Sequence, residues 1–177
     1  MIVPVLRVLS ETYPEVQLTI LSRAFFKPFF NDFSNVVFLE ADVNHNHKGF
    51  MGVLKLAEEA NALGINAVAD LHNVIRSKII TRYLKILGKK TAALNKGRKE
   101  KKSLTRAKNK YFKQLKTTHQ RYADVFGTLG FPIELTNFTP LPKKEYNKNI
   151  LSLVGEKKKS IIGIAPFATY KSKMYPL

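Results

Sequence analysis

Residues 65–88 read INAVADLHNVIRSKIITRYLKILG. The first seven, Ile65 to Leu71, are mostly apolar, with β-branched and small side chains, the composition of a buried strand. Asp70, His72 and Asn73 follow as a polar turn. From Asn73 onward the apolar residues recur at helical spacing until Gly88, a residue suited to the left-handed backbone that closes a helix. Strand, polar turn, helix and glycine stop make up one half of a βαβ unit. A short strand over 89–94, KKTAAL, would complete it.

The same alternation extends outward in both directions. Upstream, Ile2 to Thr12 reads as an amphipathic helix, and Val16 to Arg23 and Val36 to Asp42 as strands. AFFKPFFNDF, from Ala24, is a short aromatic helix or turn, and Phe50 to Gly64 is a helix with its own glycine stop. Downstream, Thr118 to Gly130 is a third helix closed by glycine. LVGEKKK, from Leu153, reads as a linker-like turn and Ser160 to Ala168 as a final strand. Such alternation predicts an α/β fold with a parallel sheet and helices on both faces. Ligands of that class bind beyond the carboxyl ends of strands. The loops of interest therefore follow Leu21, Leu39, Leu71, Leu94 and Pro166. A fold of this class ordinarily opens on a strand, whereas this sequence opens on a helix. A strand lost from the middle of a parallel sheet leaves two unpaired edges.

Composition limits the chemistry. The 177 residues are enough for a true core, and 45% of them are hydrophobic. With no cysteine there is no disulfide, thiolate nucleophile or Cys-ligated zinc, and a reducing compartment fits. No signal peptide and no apolar run of membrane-spanning length is legible. The net charge of +17 predicts attraction to polyanions. It is concentrated: Gly88 to Arg121 holds 13 Lys/Arg and a single acid, Glu100.

Four stretches have chemical potential. In VADLHNVIRSK, Asp70 and His72 stand at a strand-to-helix junction, with Arg76 and Lys78 on the first helical turns to meet anions. The alternative is that Asp70 or Asn73 simply caps the helix. DVNHNHKG holds His45 and His47 with Asp42; the two histidines could share a metal, but a third ligand is not evident, and a solvated loop is the expected reading. NKGRKEKKSLTRAKNKYFKQLK, a basic loop over 96–116, suits phosphate backbones, with Tyr111 and Phe112 able to stack on bases, or anionic lipid headgroups; the alternative is a solvated, mobile loop with little specificity. In PFATYKSK, Thr169, Ser172 and two lysines suit a diphosphate, although the glycines of a P-loop are missing; the alternative is an ordinary strand-to-helix turn.

Three segments, VPVLRVLSETYPEVQLTILSR (3–23), AVADLHNVIRSKIITRYL (67–84) and IGIAPFATYKSKMYP (162–176), together resemble the family 9 glycosyltransferases, the ADP-heptose:lipopolysaccharide heptosyltransferases. The resemblance runs from Val3 to Leu177. It implies a GT-B architecture of two Rossmann-like domains: residues 1–155 as an acceptor-binding domain lacking its first strand, and 156–177 as the start of the nucleotide-sugar domain. It implies heptose transfer from ADP-heptose to the lipopolysaccharide inner core, with inversion; no cofactor is expected, and no ligand cluster in the sequence calls for a metal. Asp70, His72 and Arg76 would face the acceptor. Thr169 and Lys173 would contact the donor phosphates, with Lys173-Met174-Tyr175-Pro176 standing where the family often has Lys-x-Trp-Pro. The aspartate that acts as base would precede residue 1, so no residue here is assigned that role and the chain alone is expected to be inactive. The implied location is the cytoplasmic face of a Gram-negative inner membrane, with the 96–116 loop on the anionic surface. The competing expectation is a small basic RNA-binding or anionic-surface-binding protein.

Overall fold

The computed structural model describes residues 1–137, 148–154 and 167–174. The chain forms two compact units, Met1–Thr139 and Pro140–Leu177. In the second unit the described elements are a helix, Lys148–Val154, and a 3-10 turn, Lys171–Lys173. The expected strand over 160–168 lies outside the described residues except for Phe167 and Ala168, which carry no regular structure.

The first unit is an α/β fold in the expected order. Helix α1 (Ile2–Thr12) is followed by β1 (Leu18–Ser22), the 3-10 helix Ala24–Phe30, β2 (Val36–Glu40), α2 (Gly49–Ala62), β3 (Ala67–Asp70) and α3 (Ile75–Ile86). The unit continues with β4 (Lys90–Ala93), α4 (Arg98–Thr105) and α5 (Thr118–Leu129). The glycine stops at Gly64, Gly88 and Gly130 all take positive φ, between 72° and 101°, the backbone that glycine enters without a Cβ penalty.

Two expectations need correction. Among the described residues the strands form two separate parallel pairs, β1 with β2 and β3 with β4, where one parallel sheet was expected. The pairs still share a layer. Leu18 and Ile20 of β1, Val36 and Phe38 of β2, and Ala69 beside Leu71 at the end of β3 pack on the cluster built by α1 and α5. Leu21, Leu39 and Val68 point the opposite way, into the cluster built by α2 and α3. This is the two-sided alternation of strands covered on both faces. The basic stretch, in turn, is not all loop: Arg98–Thr105 is helical. Lys and Arg are good helix formers, and Glu100 in the first turn suits the positive end of the helix dipole.

Contacts between the helices fix the direction of the strands. Helix α5 starts beside the end of β4, where the Arg121 guanidinium donates to the Asn95 carbonyl at 3.2 Å. It ends beside the end of α1, where the Tyr13 hydroxyl donates to the Pro132 carbonyl at 2.9 Å and its ring meets Phe131 edge-on at 5.4 Å. Helix α1 therefore runs alongside α5, and β1 starts where α1 ends. All four strands point the same way, and their carboxyl ends gather at one edge of the unit.

Helix α2 lies close against the loop before it. A Cβ at Gly52 would collide with the backbone of His47. Substitution Gly52→Ala should cost about 1–3 kcal/mol by overpacking, read as a lowered urea midpoint with unchanged slope. The Gly127→Ala control, whose Cβ would meet only Pro132 at ordinary contact distance, 3.9 Å, should shift it far less.

Candidate functional site at the carboxyl edge of the strands

Three loops meet this edge. The first is the turn from β3 to α3. Asp70 is buried and its carboxylate is fully engaged. One oxygen accepts the backbone N–H groups of His72 at 3.0 Å and Asn73 at 2.6 Å, and the other accepts the Ser77 hydroxyl at 3.0 Å. Ser77 in turn accepts the N–H of Val74 at 3.0 Å, satisfying a donor that the helix start leaves open. Asn73 takes a left-handed φ of 46° and sends its side-chain amide to the Leu94 carbonyl at 2.7 Å, tying this turn to the end of β4. Of the residues expected to face an acceptor, Asp70 thus builds the turn, while His72 and Arg76 stand exposed on it. Asp70 bonds none of the backbone N–H groups of α3, so it is not the helix cap of the alternative reading; its link to the helix is the Ser77 side chain.

The second loop, from β2 to α2, is organised by His47, which is only 6% exposed. Its Nδ1 accepts the Asp42 N–H at 3.0 Å, so the ring proton sits on Nε2, which donates to Glu59 at 3.1 Å. The solvated loop foreseen here is thus rooted by one of its histidines, whereas His45 is exposed, 3.0 Å from Asp42. Hydrogen bonding from the Asn46 backbone, aided by His45, holds the Asp42 carboxyl below its ordinary value despite some desolvation. Among the described residues no group of three or more His, Asp or Glu is placed to hold a metal. A depression of about 160 Å³ opens beside this loop, lined by Arg23, Glu40, Asp42 and Asn44 among others.

The third loop carries the charge, and Arg121 closes it. This guanidinium, buried on α5, donates to the Asn95 carbonyl and, at 3.2 Å, to the Lys116 carbonyl. At 2.5 Å it also meets Glu100, the lone acid of the stretch. Both ends of the basic excursion and the first turn of α4 are thereby held by one side chain. Gly97 has φ of 60°, and a Cβ there would strike the guanidinium. Arg121 was not singled out in the sequence, although its signal was present: it lies four residues before Val125, on the buried stripe of α5.

Thr169 and Lys173 lie in the second unit, both exposed. A 3-10 turn, Lys171–Lys173, follows Tyr170, and the Lys173 ammonium sits 5.3 Å over the Tyr170 ring. No helix among the described residues is long and apolar enough to cross a membrane. The chain matches no family model, no curated protein and no solved structure.

Two outcomes follow. Because the folded state lowers the pKa of Asp42, the stabilisation it brings to its loop is full above the ordinary carboxylate value of 3.8 and is lost as pH falls through the lowered folded value. The Asn46 amide shift in an acid titration should therefore move with a midpoint below 3.8. Replacing Arg121 by Ala leaves backbone carbonyls and Glu100 without their donor, at a cost of about 1–3 kcal/mol. Trypsin should then cut between Arg98 and Lys113 faster than in the native protein, while sites on α3 keep their order of cleavage.

Proposed function

We propose that the first unit holds the acceptor in a GT-B glycosyltransferase of two Rossmann-like domains, one that moves heptose from ADP-heptose to the lipopolysaccharide inner core. The observation that supports this reading best is the Asp70-built turn. A buried carboxylate, satisfied by two amides and a hydroxyl, stiffens a strand-to-helix junction and leaves His72 and Arg76 exposed at the carboxyl edge. A rigid turn presenting one imidazole and one guanidinium suits an acceptor that carries both hydroxyls and acidic groups. Arg76 pairs with a phosphate or carboxylate, and His72 hydrogen-bonds a sugar hydroxyl.

In the reaction the acceptor oxygen forms a bond to the anomeric carbon as the bond to ADP breaks. ADP leaves with the electron pair, and the acceptor proton passes to a base. Both oxygens of Asp70 are already occupied by hydrogen bonds within the turn, and the base is not assigned to it. Thr169 and Lys173 are the residues assigned to the donor diphosphate, as hydroxyl donor and cation.

Heptose-deficient lipopolysaccharide, titrated against the whole chain, tests the acceptor assignment. Arg76→Ala should bind about tenfold more weakly, the loss of one charge-assisted hydrogen bond, and His72→Ala should weaken it less. Both side chains are exposed, so the variants should keep the native melting temperature. Absence of binding by the native chain, or equal binding by all three proteins, overturns the assignment.

A further inference from the structure

Two exposed aromatic groups stand at the same edge of the first unit, and each is surrounded by cations. The first lies on the 3-10 helix directly after β1. Phe25 is 78% exposed and Phe29 59%, with Phe26 between them. The rings of Phe25 and Phe26 meet edge-on at 5.3 Å, and those of Phe26 and Phe29 lie 6.5 Å apart. Arg23 and Lys27, both exposed, flank the group. The fourth phenylalanine of the turn, Phe30, is buried and anchors it against the Phe38 ring at 6.0 Å. The helix is thus held to the core by one ring while three others face outward.

The second group caps the basic excursion after β4. Helix α4 leads away from the Arg121 clasp for eight residues, about 12 Å. The chain then turns at Asn109, whose φ is 52°, and folds back so that the Tyr111 N–H donates to the Ser103 carbonyl at 3.1 Å. Tyr111 and Phe112 follow this turn, 61% and 88% exposed. Lys108, Lys110 and Lys113 surround them, all exposed.

Folded chains rarely leave aromatic clusters in water unless something covers them. We infer that this edge docks on the surface of an anionic lipid bilayer, with the phenylalanines and Tyr111 entering the headgroup region and the surrounding Lys and Arg meeting lipid phosphates. The charge complements such a surface: residues 96–116 carry ten Lys/Arg against Glu100. Aromatic rings partition into the interfacial layer, and nearby cations add attraction to anionic lipid. Single-stranded RNA is the less fitting occupant. Its stacking rings normally stand on a platform beside a basic groove, whereas Phe112 projects from a chain without regular structure.

Sedimentation of the full chain with phosphatidylcholine vesicles, with and without phosphatidylglycerol, tests this. These vesicles contain no sugar acceptor, so the result is independent of heptose transfer. Binding should require phosphatidylglycerol and weaken with salt. Changing Lys108, Lys110 and Lys113 together to Gln should lower the partition coefficient roughly a hundredfold, about fivefold for each charge. The pair Phe25→Ser and Phe29→Ser, and Phe112→Ser alone, should each lower it roughly tenfold with lysines intact. All these positions are exposed, and unchanged circular dichroism would confirm the fold of each variant. The inference is overturned by no vesicle binding, by vesicle binding that depends on the lysines but ignores all three phenylalanines, or by preference for polyuridylate over anionic vesicles at equal phosphate. Concentration-dependent dimerisation abolished by the Phe25 and Phe29 changes would also overturn it, by assigning that patch to a second copy.

Discussion

The first unit depends on the burial of two apolar helix stripes against strands that are not all paired with one another. Among the described residues β1 and β3 share no ladder, so backbone hydrogen bonds do not join the two strand pairs. Val5, Leu6, Val8 and Leu9 of α1 do so on one face, and Val53, Leu56, Ala57 and Ala60 of α2 on the other. Leu6, Leu9 and Leu56 are each only 1% exposed. Each such side chain contributes about 1.5–3 kcal/mol when fully buried. Non-directional burial thus does the work that ladder hydrogen bonds do in a continuous sheet. The cost falls on the strands: all five residues of β1 are only half-buried.

On this frame the carboxyl edge is ordered by three buried polar side chains, one for each loop. Asp70 gathers amides, His47 links a strand end to α2, and Arg121 gathers carbonyls and Glu100. Each satisfies backbone groups that would otherwise be left open where strands end and helices begin. Charge follows the same logic: a carboxylate collects N–H groups and a guanidinium collects C=O groups. The residues left over, His72, Arg76 and the lysines beyond Arg98, are therefore presented from stiff bases rather than from free loops. Rigid presentation lowers the ordering cost of binding.

The density of positive charge and the exposed rings address different parts of one surface. Cations act over roughly a Debye length, near 10 Å at moderate salt, and lose force as salt rises. Aromatic rings act only in contact but are insensitive to salt. In the proposed docking on an anionic bilayer, their coexistence after β1 and after β4 supplies both long-range attraction and short-range grip.

Much of the local structure was legible because it depends on neighbours in sequence. The stripe of α1, the β-branched strands, the aromatic turn and the stops at Gly64, Gly88 and Gly130 follow from periodicity and from backbone freedom at glycine. The helix over Arg98–Thr105 was hidden because its cations mask any apolar period, and its ion partner, Arg121, lies 21 residues from Glu100. For Asp70, His72 and Arg76, residue type and position on the junction were readable, but not the division between a buried organiser and two exposed groups. Gly52 and Gly97 gave no sign of their importance, since each is required by a chain segment packed against it rather than by its own turn alone. From the sequence by itself, most element types of the first unit, α4 excepted, and the concentration of charge were readable, because both are set within short windows of chain. Only the tertiary structure decided that the strands form two pairs, that Arg121 closes the basic excursion and that the aromatic groups share an edge. Each of those requires residues far apart in sequence to meet, and local periodicity holds no information about which distant side chain will satisfy a buried polar group.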